Sequence, residues 1–277
     1  MVKMNLGAWG FAIETEADDA HLATAAEIES YGFTALWMAG GQLDRLERLA
    51  DLLRATDHAV VGSSVISPDV YDATEVLDFY QAMETTVPGR LLVGLGAPQV
   101  PHAIPALRSY IDELTVGAHP VPPDRRILAA IGPRKLDIAR EWFAGAVPIL
   151  VTPAYAATAR ERLGPNSILT VGQFAVLDEN PRSARETART PLRFLLHEVR
   201  GYANSALRQG FTDGDISMLS DRLVDALVVW GSPLDIVARA HEQRTAGADH
   251  VQFTVLNGAG QPGPLEAARL LAPLLNK

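Results

Sequence analysis

The chain of 277 residues contains no cysteine. Disulfides, thiol catalysis and cysteine-ligated metals are therefore excluded. Positive charge is the second shortage: 24 Lys and Arg stand against 33 Asp and Glu, a net charge of −9. An acidic chain is a poor match for nucleic acid, which recruits a basic surface. Long hydrophobic runs are also missing. No stretch approaches the ~20 apolar residues of a membrane span, and MVKMNLGAWGF at the N-terminus lacks the apolar centre of a signal peptide. The expectation is a cytoplasmic protein with neither membrane nor nucleic acid as partner.

What is present is ample core material, with 48% hydrophobic residues. Its arrangement is clearest in ILAAIGPRKLDIAREWFAGAVPILVT, residues 127 to 152. An apolar run, Ile127 to Ile131, breaks at Gly132-Pro133. Leu136, Ala139 and Phe143 then recur at helical spacing, Gly145 stops the helix, and a second apolar run spans Val147 to Val151. Strand, helix, strand predicts a parallel pair with a crossover helix. Pro133 suits the first helical position, where a missing N–H costs nothing. The N–H groups behind it form a natural anion site, to which Arg134 and Lys135 add charge.

The same alternation runs along the chain. Apolar runs at residues 4–13, 34–39, 58–67, 90–96, 127–131, 147–151, 167–177 and 250–256 predict eight strands. Thr15 is expected to cap the first helix, and a strand-free helical insert is expected between strands seven and eight, with Leu223, Ala226, Leu227 and Trp230 on one helical face. Eight strands separated by helices favour a single (β/α)8 barrel domain, with an open doubly wound sheet as the alternative.

In such barrels ligands bind at the carboxyl ends of the strands. Reading strand one as ending near Trp9-Gly10, no Asp, Glu or Lys falls at the end of strands one to four. The polar groups there are mostly neutral: Ser64, Ser67, Gln99, Thr152 and Asn257. There is no carboxylate pair for glycoside chemistry, no Schiff-base lysine and no metal-spaced histidine set. His102, a few residues beyond strand four, is the histidine best placed to act as a general acid. His21 and His241 read as solvated helix residues, and His58 and His250 begin strands at the wrong end.

YGFTALWM, VVGSSVISP, PGRLLVGLG, ILAAIGPRKLDIA, VPILVTP and GADHVQFTVL, in that order, resemble the luciferase-like monooxygenases. The likeness is to their coenzyme F420-dependent oxidoreductase branch, found largely in actinobacteria. The resemblance implies a luciferase-like barrel with a deazaflavin ring in its mouth. It implies a cis bond at Ser64-Val65 that pushes a bulge against the ring. It implies phosphate contacts at Ile131, Gly132, the helix start at Arg134, and Thr152. Ser67, Ala97 and His102 match other cofactor-contacting positions. Sugar-phosphate members carry an acid and a histidine where this chain has Gly40-Gly41, and a glutamate where it has Gln99. Their chemistry is therefore not expected. His102 and Gln99 are the catalytic candidates in an F420-dependent hydride transfer to or from a small organic substrate. An FMN-dependent monooxygenase and a cofactor-binding barrel without turnover are the alternatives. The resemblance also implies a homodimer through the Leu-, Tyr- and Met-bearing helices after strands two and three.

Overall fold

Parallel pairing joins the apolar runs in the order that the crossover pattern requires. The computed structural model describes residues 4–16, 19–98, 100–116 and 119–275. Its strands are β1 Trp9–Ile13, β2 Ala35–Ala39, β3 Val60–Ser64, β4 Leu91–Leu95, β5 Arg126–Leu128, β6 Gly145–Ala146, β7 Ile168–Leu177, β8 Val228–Gly231 and β9 His250–Val255. Strands β1 to β7 neighbour one another in sequence order, and β9 lies between β7 and β1. The result is a closed eight-strand parallel barrel with helices around it.

Helices α1 Ala20–Ser30, α2 Glu47–Ala55, α3 Ala73–Thr86, α4 Ala103–Leu114, α5 Pro133–Trp142 and α6 Pro153–Leu163 follow the first six strands in turn. After β7 come α7 Pro181–Glu198, α8 Arg200–Arg208, α9 Asp213–Met218 and α10 Asp221–Leu227. Helix α11 Pro233–Thr245 precedes β9, and α12 Pro264–Leu275 closes the described chain. Helices α5, α6, α7, α11 and α12 begin on proline, whose fixed φ suits that position. Asp72 and Ser232 make capping boxes with Glu75 and Asp235.

Several sequence expectations need correction. The insert is not strand-free, because Val228–Gly231 forms β8, paired with Phe174–Leu177 of β7. It lies beyond the last bridge between the β6 segment and β7, Ile149 to Gly172. Trp230 thus belongs to a strand, and its indole N–H donates to Asp225 at 2.7 Å. Thr15 caps no helix. Its amide and hydroxyl both meet Gln42 Oε1, and α1 begins only at Ala20. Strand one ends at Ile13, not at Trp9-Gly10. The sixth strand begins two residues earlier than expected, at Gly145–Ala146, and the expected run continues it only as far as Ile149: Val147 donates to Leu128, Pro148 accepts from Gly172, and the positive φ of 55° at Leu150 ends the pairing. His21 is buried, not solvated, and its Nδ1 accepts from the Glu16 amide.

The barrel interior is filled from below by Trp37, which is wholly buried among Leu6, Val60, Leu92, Ile127 and Ile168. So large a ring needs room. A Cβ on Gly62 of the adjacent strand would stand 2.6 Å from the Trp37 ring. The insert builds its own apolar layer over β7, with Leu192 and Leu196 of α7 against Leu223, Val224 and Leu227 of α10. Arg185 ties the two helices by pairing with Asp225 and Asp221.

Candidate active site at the carboxyl end of the barrel

Strand β3 leaves its ladder at Ser64, the residue paired with Ala39 of β2. The Ser64–Val65 peptide bond is cis, the conformation that the resemblance implied. Regular contact resumes at Ile66, whose amide donates to Gly94 at 2.8 Å and whose carbonyl accepts from Gly96 at 2.9 Å. Val65 between them forms a bulge seated by two glycines. A Cβ on Gly40 would come within 2.3 Å of the Val65 carbonyl oxygen, and one on Gly96 within 3.2 Å of its Cγ2. Glycine at the end of β2 is thus a steric requirement of this bulge. Ser67 follows, its hydroxyl accepting from the Asp69 amide, and Ala97 is buried beyond β4.

A second feature lies at the ends of β5 and β6. Gly132 is the N-cap of α5, and no side chain caps the first-turn N–H groups. Arg134 is exposed there. Lys135 is half-buried, and burial holds its pKa below the ordinary lysine value. Thr152 is the N-cap of α6, its hydroxyl accepting from the Tyr155 amide. The insert reaches this place: Arg208 at the end of α8 donates to the Ile131 carbonyl at 3.2 Å. Next to it, Gln209 Oε1 accepts from the Thr152 amide at 2.9 Å and the Thr152 hydroxyl at 3.0 Å. The Tyr155 hydroxyl is buried without a hydrogen-bond partner, and burial pushes its pKa up. Uncapped donors, three cationic side chains and an orphaned hydroxyl suit a phosphate group.

The third feature contradicts the expectation that no acid ends strands one to four. Glu14 follows β1 directly and lines a cavity of about 290 Å³ with Thr187, Thr190 and Pro191 of α7 and Leu256-Asn257 after β9. The residue as a whole is exposed, yet its carboxyl is partly desolvated. Burial, then the neighbouring Glu16 charge, raises its pKa above the ordinary glutamate value. Gln261 fixes the cavity rim by accepting from the Thr187 hydroxyl and the Gly258 amide while donating to Asp178.

The structure brings Ser64 and Val65 together at one part of the rim, and Ile131, Gly132, Arg134 and Thr152 at another. His102 starts α4 with a positive φ of 61° and an exposed side chain. Gln99 lies outside the described residues. Sequence reading missed Glu14, Arg208 and Gln209. Glu14 was one residue beyond a correctly ended strand. Gln209 meets a threonine 57 residues away and carried no local signal. Among the described residues, no group of three or more His, Asp or Glu side chains could hold a metal ion. No helix among them is long and apolar enough to cross a membrane.

No family model and no curated protein matches the sequence. Solved structures do match. An F420-dependent secondary alcohol dehydrogenase in complex with an F420–acetone adduct superposes with a TM-score of 0.72 at 13% identity, covering 99% of both chains. The coenzyme F420-dependent tetrahydromethanopterin reductase of Methanopyrus kandleri gives a TM-score of 0.71 at 14% identity, over 96% of this chain and 97% of that one. The fold is luciferase-like. The oxygenating constituent of the 3,6-diketocamphane monooxygenase of Pseudomonas putida, a type II Baeyer–Villiger monooxygenase in complex with FMN, shares it too. Its TM-score is 0.66 at 12% identity, over 97% of this chain and 98% of that one. F420 enzymes and FMN enzymes thus share this luciferase-like barrel.

Proposed function

We propose that the chain is an oxidoreductase that holds coenzyme F420 in its barrel mouth, with FMN as the alternative cofactor. When bound, either group would supply hydride exchange between its ring and a small organic substrate. The observation that carries this reading is the pair of helix starts at Gly132 and Thr152, side by side at the ends of two adjacent strands, with Arg134, Lys135 and Arg208 around them. Ile131, Gly132, Arg134 and Thr152 would take the phosphate. Ser64, Val65, Ser67 and Ala97 would line the ring, and His102 would stand at the rim.

Glu14 is the side chain to which we assign the proton. Hydride transfer to or from a carbonyl or alcohol leaves a proton to place, and an acid with a raised pKa is suited to hold it. His102, an exposed imidazole at the start of α4, is the second candidate. Gln99 does not titrate and could only orient the substrate.

The phosphate assignment is tested by comparing FMN with riboflavin, which has no phosphate. Arg134→Glu should weaken FMN binding about tenfold or more, by replacing attraction with repulsion, and leave riboflavin binding unchanged. Equal affinity for FMN in the variant and the parent would remove the phosphate from this end of the barrel.

A further inference from the structure

Thr152 has two donors, its amide and its hydroxyl, and both converge on one oxygen, Oε1 of Gln209. Two donors at a helix N-cap meeting a single acceptor is the arrangement that a phosphate oxygen would complete. We propose that the Gln209 carboxamide is an internal stand-in for the cofactor's phosphate oxygen, so that Gln209 sets how tightly the site takes a phosphate-bearing ligand. The inference rests on the cofactor reading above.

The remaining contacts of Gln209 fit a group built to let go. Its Nε2 donates to the Leu150 carbonyl at 3.2 Å, the upper end of the ordinary range, and to the Ser205 hydroxyl at 3.3 Å, just beyond it. All of its bonds are between neutral groups. A phosphate at Thr152 would make charge-assisted bonds, which are roughly twice as strong. The ligand therefore displaces the carboxamide, at the cost of opening the self-capped state.

The neighbouring residue sharpens the exchange. Arg208 sits on the same turn, with Nη2 against Ile131 O and 3.8 Å from where a Cβ on Gly132 would stand. Rotation of the Gln209 side chain needs no movement of α8 and leaves Arg208 beside the incoming anion. The apparent dissociation constant is the intrinsic one divided by the fraction of open protein. A site self-capped about nine-tenths of the time then binds roughly tenfold more weakly than an open one.

The test is equilibrium titration of the full chain and of Gln209→Ala and Gln209→Asn with F420, FMN and riboflavin, followed by fluorescence. The shorter Asn keeps a carboxamide at the end of α8 and guards against unfolding of the Ala variant. Both variants should bind F420 or FMN roughly tenfold more tightly than the parent, with riboflavin unchanged. If the parent binds a phosphate-bearing cofactor and both variants bind it equally or more weakly, Gln209 is a bystander or a ligand and the proposal falls while the cofactor reading stands. Binding by the variants alone upholds both. Binding by none of the three proteins overturns both.

Discussion

The indole N–H of Trp37 donates to Nε2 of His250 at 3.1 Å, deep in the barrel, between residues 213 positions apart. With Nε2 accepting, the ring proton must sit on Nδ1, which donates to the Gly7 carbonyl at 3.1 Å. The neutral imidazole is satisfied at both nitrogens. Protonation would leave Nε2–H facing another donor.

That geometry gives a pH dependence of stability. His250 is wholly buried, and burial, reinforced by the Arg244 charge, lowers its pKa to about 4 against the opposing pull of Asp249 and the Gly7 bond. The folded pKa is depressed, so the unfolded chain binds the proton more readily. The contribution is fully present above the unfolded value near ~6.5 and is lost as the pH falls from there towards 4, amounting to about 3 kcal/mol. Urea unfolding at several pH values between 7 and 4 should show this decline. A His250→Gln variant should show a flatter profile over the same range, and parallel profiles would contradict the assignment.

The room around Trp37 gives a second prediction. Gly62→Ala would push a methyl group to within 2.6 Å of a wholly buried ring that has nowhere to go. Overpacking of this kind costs about 1 to 3 kcal/mol. Urea unfolding should show that loss, and an unchanged midpoint would mean that Trp37 does not fill the barrel as described.

Most barrel strands were legible because they are apolar runs closed by Gly or Pro, whereas β1 runs into Glu14 with neither, and α5 and α6 were legible because Pro133 and Pro153 mark their starts. Strand β8 was not legible. No glycine or proline separates Leu227 from Val228, so the apolar residues of α10 run on into the strand at apparent helical spacing. The anion site was half legible. Gly132 and Arg134 are local signals, whereas Arg208 and Gln209 reach the site only through the packing of the insert. His21 was misread because it sits on a helix rich in alanine, with no strong polar face to show which side is buried.

Glu14 gives a third prediction that needs no substrate. Carbon-13 NMR titration of its carboxyl, assigned by comparison with Glu14→Gln, should give a midpoint above that of an ordinary glutamate. Glu16→Gln should move the midpoint down, because the Glu16 charge is the smaller of the two causes that raise it. An ordinary midpoint would return the proton to His102.

Assembly gives a fourth. We propose a homodimer through α2 and α3. Between these helices lies a groove of about 570 Å³ that carries Leu46, Tyr71, Phe79 and Met83 beside charges of both signs. A self-complementary mixture of this kind suits a two-fold contact. Light scattering at micromolar concentration should give twice the chain mass, and Phe79→Glu should halve it. A monomer mass for the parent chain would exclude this contact.

We propose that the barrel mouth takes a phosphate-bearing flavin or deazaflavin. Titration of the purified chain with F420 and with FMN, followed by quenching of its tryptophan fluorescence, measures this most directly. Saturable binding of one cofactor per chain, tighter for F420 than for FMN, is the expected result. No saturable change with either cofactor would contradict it.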